Sequence, residues 1–194
     1  MEHNELLREN EELKKKVATL ERQVATLQRM LSVFENHPTL AQGIRGETLI
    51  ADALNGALTS KNASFDIRLP QSGLKLEVKF SGLNNAVLNR DTEPTFRWAW
   101  ANLFGEMGKK QFDRLILIGE THPKDRDKYQ DKDSPYIFFD VPFDEAMPLS
   151  IRTNRGRYRS IQLSTDPQTV RSAARSLFTK YQVTLSELES RYGI

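Results

Sequence analysis

A chain of 194 residues, 38% of them hydrophobic, can bury one core and carry a modest appendage, which excludes two independent enzyme domains. Its 28 basic and 26 acidic residues leave a net charge of +2, so any polyanion partner must be recognised through local clusters rather than the average field. The absence of cysteine excludes disulfides, thiolate zinc sites and cysteine nucleophiles, and neither a signal-peptide pattern nor an apolar run near the roughly 18 residues of a membrane helix is found, so the expectation is a soluble cytoplasmic protein with no membrane partner.

Leu6, Leu13, Leu20 and Leu27 recur every seven residues, with Phe34 continuing the series, and form the d seam of a heptad pattern. The a positions are His3, Asn10, Val17, Val24 and Leu31. β-Branched a residues with leucine at d favour two parallel strands, and a buried asparagine at a sets register and dimer state. Across such a pair Glu9 can reach Lys14, and Lys16 can reach Glu21. The expectation is a parallel dimeric coiled coil over residues 1–36; the alternative is a lone amphipathic helix packed on its own domain. No basic region precedes the heptads, so the zipper joins subunits without itself binding DNA.

Proline at 38 disfavours continuation, and a globular domain is expected over 39–194. Its first element, GIRGETLIADALNGAL, places Ile50, Ala53, Leu54, Ala57 and Leu58 on one helical stripe. SFDIRL and LKLEVKF alternate apolar and charged residues around PQSG, as in a hairpin. QFDRLILIGE and SPYIFFDVP are dense, β-branched or aromatic runs that predict interior strands, with THPKDRDKYQDKD as a solvated loop between them. From Asp166 the spacing of Val170, Ala173, Ala174, Leu177 and Phe178 predicts a helix, and SELESRY a second, short one.

The chemistry concentrates in the hairpin. Asp66 and Arg68 share a face, as do Lys75, Glu77 and Lys79 on the return strand. If Pro70 to Gly73 form the turn, Asp66 lies across from Glu77, with Cβ atoms about 5 Å apart, a repulsive arrangement unless something positive sits between them. A hard divalent cation suits that position, and Lys79 would point at the same place. Glu47 falls on the buried stripe of the preceding helix, where a carboxylate must be paired with Arg45 or Arg68 or join the same site. Read as isolated residues, the hairpin charges would be an ordinary solvated face.

Taken in order, a helix glutamate, a strand aspartate, a hairpin and the tripeptide Glu77-Val78-Lys79 make the chain resemble the PD-(D/E)XK nuclease superfamily over about residues 43 to 141. The resemblance implies a restriction-endonuclease-like α/β (α+β) fold, a mixed β-sheet core flanked by helices. It also implies that Asp66, Glu77 and the Val78 carbonyl bind Mg²⁺, with Mn²⁺ able to substitute. Lys79 would orient or deprotonate the attacking water, and Glu47 matches an accessory glutamate of the first core helix. Asp66 follows Phe65 rather than proline, a departure from the motif. Neither His3, His37 nor His122 sits in a setting that suggests a catalytic base, and no phosphate-cradling GxxxxGK[ST] loop or small-molecule cofactor signature is present.

Outside the site, Arg152, Arg155, Arg157 and Arg159 cluster in IRTNRGRYRS without an acid, with Asn154 and Tyr158 adding polar groups and Gly156 permitting a turn. This spacing suits phosphate contacts or guanine reading on double-stranded DNA, against the alternative of a solvated basic hairpin. Arg97, Lys109 and Lys110 form a second candidate DNA surface, while Trp98 and Trp100 are expected in the core or a dimer contact rather than stacked on bases. The leading expectation is a homodimeric restriction-type endonuclease of prokaryotic or phage origin, nucleoid-associated when on DNA. The alternatives are a phage or repair nuclease with structural or no specificity, and a catalytically dead zipper-linked DNA-binding scaffold.

Overall fold

The computed structural model describes residues 12–25, 28, 38–60, 62–85, 96–170 and 172–193. The chain divides into two compact units, Met1–Ala41 and Gln42–Ile194. In the first, residues 12–25 form helix α1. Its seam residues Leu13, Val17, Leu20 and Val24 are each more than half exposed, from 51% to 58%. Leu6, Asn10, Leu27 and Leu31, with His3, Phe34 and His37, lie outside the described residues. Among the described residues no helix is long and apolar enough to cross a membrane.

Helix α2 runs Pro38–Ala53 and opens on the proline, whose missing N–H has no helical acceptor to lose at the first position. Its stripe Ile50, Ala51 and Leu54 is buried, but the stripe does not continue to Ala57 and Leu58 as the spacing predicts. Asn55 adopts the left-handed region at φ 50° and the Gly56 N–H closes on the Ala51 carbonyl at 2.8 Å, ending the helix. Ala57–Leu58 instead form β1, exposed at the sheet edge, because these two residues meet Arg68 and Ile67 of the next strand.

The main sheet has six strands in the order β1, β2 (Ile67–Arg68), β3 (Lys75–Ser81), β6 (Arg114–Glu120), β7 (Tyr136–Pro142), β10 (Gln182–Val183). Among the described strands only β3 and β6 pair in parallel; the other neighbours in this sheet are antiparallel. The fold is thus mixed α and β around a mixed sheet. A parallel pair requires a long crossover. Here it carries β4 (Asn84–Asn85) and β5 (Phe96–Trp100), which join β9 (Tyr158–Ser164) and β8 (Ile151–Thr153) in a second sheet ordered β4, β5, β9, β8.

Alternation along the strands gives the main sheet two buried faces. Leu76 and Val78, Ile116 and Ile118, and Phe138 pack with Ile50, Ala51 and Leu54 of α2. Leu115, Leu117, Ile137, Phe139 and Val141 pack with Trp98, Trp100, Ile161 and Leu163 of the second sheet. Both tryptophans are core residues, as expected, and their indole N–H groups donate to the Glu120 and Ile118 carbonyls at 2.8 Å. Gly119 makes that approach possible, since a Cβ there would come within 2.6 Å of the Trp98 ring.

The segment read as a solvated loop is partly anchored: Pro123–Lys128 form a 3-10 turn and Tyr129 is buried, its hydroxyl donating to the Thr165 carbonyl at 2.6 Å. After β7 comes the short helix α3 (Phe143–Leu149). The helix expected from Asp166 begins later, as α4 (Ser172–Ser176) running into a π-helical turn at Leu177–Tyr181. The last helix, α5 (Leu185–Tyr192), starts with a capping box in which Thr184 and Glu187 satisfy each other's backbone N–H groups.

Candidate active site

The hairpin register sets the site. Ile67 opposes Leu76 and Arg68 opposes Lys75, so the next pair outward is Asp66 and Glu77. Asp66 lies just before β2 and is fixed on both sides: Thr59 N–H donates to its carbonyl at 2.9 Å, and its own N–H donates to the Leu76 carbonyl at 2.9 Å. One carboxylate oxygen, Oδ2, accepts from the Val78 N–H at 2.9 Å. Glu77 sits on β3 opposite Leu115 of β6, and because Leu76 and Val78 face α2 it turns to the other buried face. It is 0% exposed.

Two ammonium groups stand between the acids. Lys79 Nζ pairs with Glu77 Oε1, lies 3.7 Å from Asp66 Oδ2 and donates to the Val78 carbonyl at 3.2 Å. Lys110 Nζ pairs with the same Glu77 Oε1 and lies 3.3 Å from Asp66 Oδ1. Repulsion between facing carboxylates is thereby offset by cations placed where the pattern demands positive charge.

Burial still dominates at Glu77: it pushes the carboxyl up to about 7, with Lys79 opposing, Asp66 adding to the rise and Lys110 opposing. Lys110 feels burial in the other direction, yet Glu77 and Asp66 hold its ammonium above the ordinary lysine range, so it stays charged. Glu47 is half-buried, and burial and then Asp66 raise its carboxyl against the pull of Lys79 and Lys110. The helix glutamate therefore feels Asp66 and both lysines, while Arg45 and Arg68, its alternative partners, are exposed.

The residues fit a hard divalent cation. Glu77 Oε2 is buried and has no hydrogen-bond partner among the described residues, which is costly for a carboxylate unless a cation or water completes it. The Val78 carbonyl already attracts a cation, the Lys79 ammonium. Among the described residues no three carboxylate or imidazole side chains converge, so the donor set is two carboxylates and a carbonyl, with waters left to fill the remaining positions. That composition suits magnesium and not a metal needing an all-protein cage.

Lys110 is the residue that sequence reading misplaced, on an outer surface with Arg97 and Lys109. Arg97 and Lys109 are exposed, whereas Lys110 turns inward. Its position follows from the parallel crossover: β6 begins at Arg114 beside Leu76, so the residues before it return to the start of β3. Lys110 N–H donates to the Phe104 carbonyl and Gln111 N–H to the Ser64 carbonyl, each at 2.9 Å. Gly105 holds φ +70°, and a Cβ there would come within 3.0 Å of Lys110 Cγ, so the glycine makes room for the lysine stem. The available signal was the density of the QFDRLILIGE run, which marks a central strand and hence a crossover.

The arginines also separate. β8 and β9 form the expected hairpin, closed by a 3-10 turn at Asn154–Gly156 with Arg155 at φ 54°. Arg152 and Arg155 are exposed. Arg157 pairs with Glu106 at 2.5 Å on the surface. Arg159, across from Arg152, turns inward and donates to the Met147 and Ser150 carbonyls at 3.2 and 3.3 Å, closing the end of α3. Leu103 N–H donates to the Arg159 carbonyl at 3.1 Å, so the hairpin and the loop bearing Lys110 are joined. No protein-family model matches the chain, and no curated protein matches it either.

Proposed function

We propose that the chain is a metal-dependent DNA endonuclease of the PD-(D/E)XK type, with a restriction-endonuclease-like core, acting as a homodimer on double-stranded DNA. The observation that carries this reading is the buried Glu77 carboxylate, one oxygen without a partner among the described residues, facing Asp66 across a hairpin with Lys79 beside both. Asp66, Glu77 and the Val78 carbonyl would hold Mg²⁺, or Mn²⁺ in its place. Bound there, the ion supplies Lewis-acid stabilisation of the phosphodiester and acidifies water. Lys79 adds positive charge beside the phosphate as its oxygens gain charge during in-line attack, when one phosphorus–oxygen bond forms and the ester bond opposite breaks. Glu47, with no ion pair among the described residues, is available to order the attacking water.

Arg152 and Arg155 would grip the duplex backbone from the β8–β9 hairpin, which is tied to the Lys110 loop and so lies beside the site. Dimerisation rests on the exposed seam Leu13, Val17, Leu20 and Val24, an apolar stripe of zipper spacing that a second copy would cover. Twofold symmetry then supplies one cut per strand.

The test is incubation of the full-length protein with mixed-sequence plasmid and phage DNA, with Mg²⁺ or EDTA, beside Lys79→Ala. Discrete magnesium-dependent bands that vanish in the variant are expected. DNA retarded on a gel but uncut with every divalent metal would overturn the enzyme reading. A Leu20→Asp variant sedimenting as a monomer, against a wild-type dimer, checks the zipper.

A further inference from the structure

Lys79 belongs to the motif, but a second lysine from a remote loop has no part in it. Lys110 reaches Asp66 Oδ1 and Glu77 Oε1 from the end of the crossover, through a glycine-lined turn that accommodates its stem. At full ionisation the two carboxylates are then matched by two ammonium groups. A divalent cation entering between Asp66 and Glu77 meets a carboxylate pair already neutralised, with only the half-buried Glu47 charge nearby left over, and it must displace an ammonium group from the oxygens it needs. A phosphodiester brings negative charge and offers the displaced lysine a new partner.

We infer that Lys110 is a built-in counter-cation that holds Asp66 and Glu77 until substrate arrives, gives way to the metal and turns to the phosphate, so that metal and DNA load together. The inference deepens the nuclease reading and rests on it. Lys110 is suited to the exchange because its loop is joined to the basic hairpin at two points, Arg157 with Glu106 and Leu103 with Arg159. A duplex seated on the hairpin therefore meets the same loop. Removing the lysine charge makes metal binding easier in the absence of DNA and cleavage harder in its presence, opposite signs that a purely structural lysine would not produce.

The experiment is calorimetric titration of Mn²⁺ into full-length wild type, Lys110→Met and Lys110→Arg without DNA, with thermal melts and cleavage rates of each. Lys110→Met is expected to bind Mn²⁺ about tenfold more tightly than wild type, while cleaving about a hundredfold more slowly. Lys110→Arg, which keeps the charge, is expected to stay near the wild-type affinity. A folded Lys110→Met that binds Mn²⁺ no more tightly than wild type overturns the inference. Should that variant fail to fold, Lys110→Gln, which keeps a hydrogen-bond donor without the charge, takes its place with the same two outcomes. Wild type that cuts DNA while Lys110→Met gains no affinity sinks this inference alone, whereas wild type that leaves DNA uncut with every divalent metal sinks the nuclease reading.

Discussion

Two hairpins in this molecule carry dense charge on short strands and end differently. In β2–β3 the charges converge: Asp66, Glu77 and Lys79 gather with Lys110, and Glu77 is fully buried. In β8–β9 they spread: Arg152 and Arg155 stay exposed, Arg157 takes a surface partner and Arg159 turns to carbonyl groups. The difference lies in what covers each hairpin. β3 is a central strand of the main sheet, with α2 on one face and the second sheet on the other, so its charges must find one another or a cation. β8 is an edge strand, where water solvates arginine at no cost. Alternating charge is thus gathered into a buried cluster in one place and left largely to water in the other.

The largest effect expected from breaking the contrast is at Glu77. Glu77→Gln keeps the shape and removes the ionised group, and cleavage should fall by about a thousandfold or more. Its melting temperature at pH 8 without metal should stay near wild type, because relief from burying the charge offsets the ion pairs lost with Lys79 and Lys110. A variant that loses activity only by unfolding would show that Glu77 is a packing residue.

A pH titration sharpens the same point. The folded Glu77 carboxyl titrates near 7 against an ordinary value of 4.5, so the folded state holds a proton that the unfolded chain has released. Its contribution to stability is full below the ordinary value and is lost as pH rises toward and through about 7. Metal-free wild type should therefore lose on the order of 2 kcal/mol over this range relative to Glu77→Gln. Urea unfolding of both proteins at pH 5 and 8 measures the difference, and parallel pH curves would remove the claim of a costly buried charge.

On the exposed hairpin, Arg152→Ala with Arg155→Ala should weaken duplex binding and flatten the plot of log affinity against log salt by about 2. The cleavage rate at saturating DNA should change little. A rate defect without a salt effect would place these arginines in the chemistry instead. The smallest effect is expected at Arg157 and Glu106, a pair roughly half exposed on both sides. Glu106→Gln should leave the urea unfolding midpoint close to that of wild type, because an exposed ion pair is screened by solvent.

Much of the acid site was legible in the chain. Strand alternation and a four-residue turn determine that Asp66 faces Glu77, because side-chain period and turn length are local properties. The same locality made β6, β7 and α5 readable, and heptad spacing alone is the basis for the zipper expectation. The end of α2 was not legible, since Ala57 and Leu58 fit a helical stripe until the pairing with Ile67 and Arg68 competes with it.

What only the tertiary structure decided is which distant charges join the site and which remain in water. Lys109 and Lys110 are adjacent and identical in type, yet one is exposed and the other completes the acid pair. Composition cannot separate them, because the distinction comes from a parallel crossover returning the chain to the start of β3 and a glycine turn admitting one stem. Likewise Arg152 and Arg159 oppose each other on one hairpin and differ only in whether the end of α3 is within reach. Local spacing dictates the order of side chains along a strand; burial and the identity of a distant partner depend on how the sheets close over it.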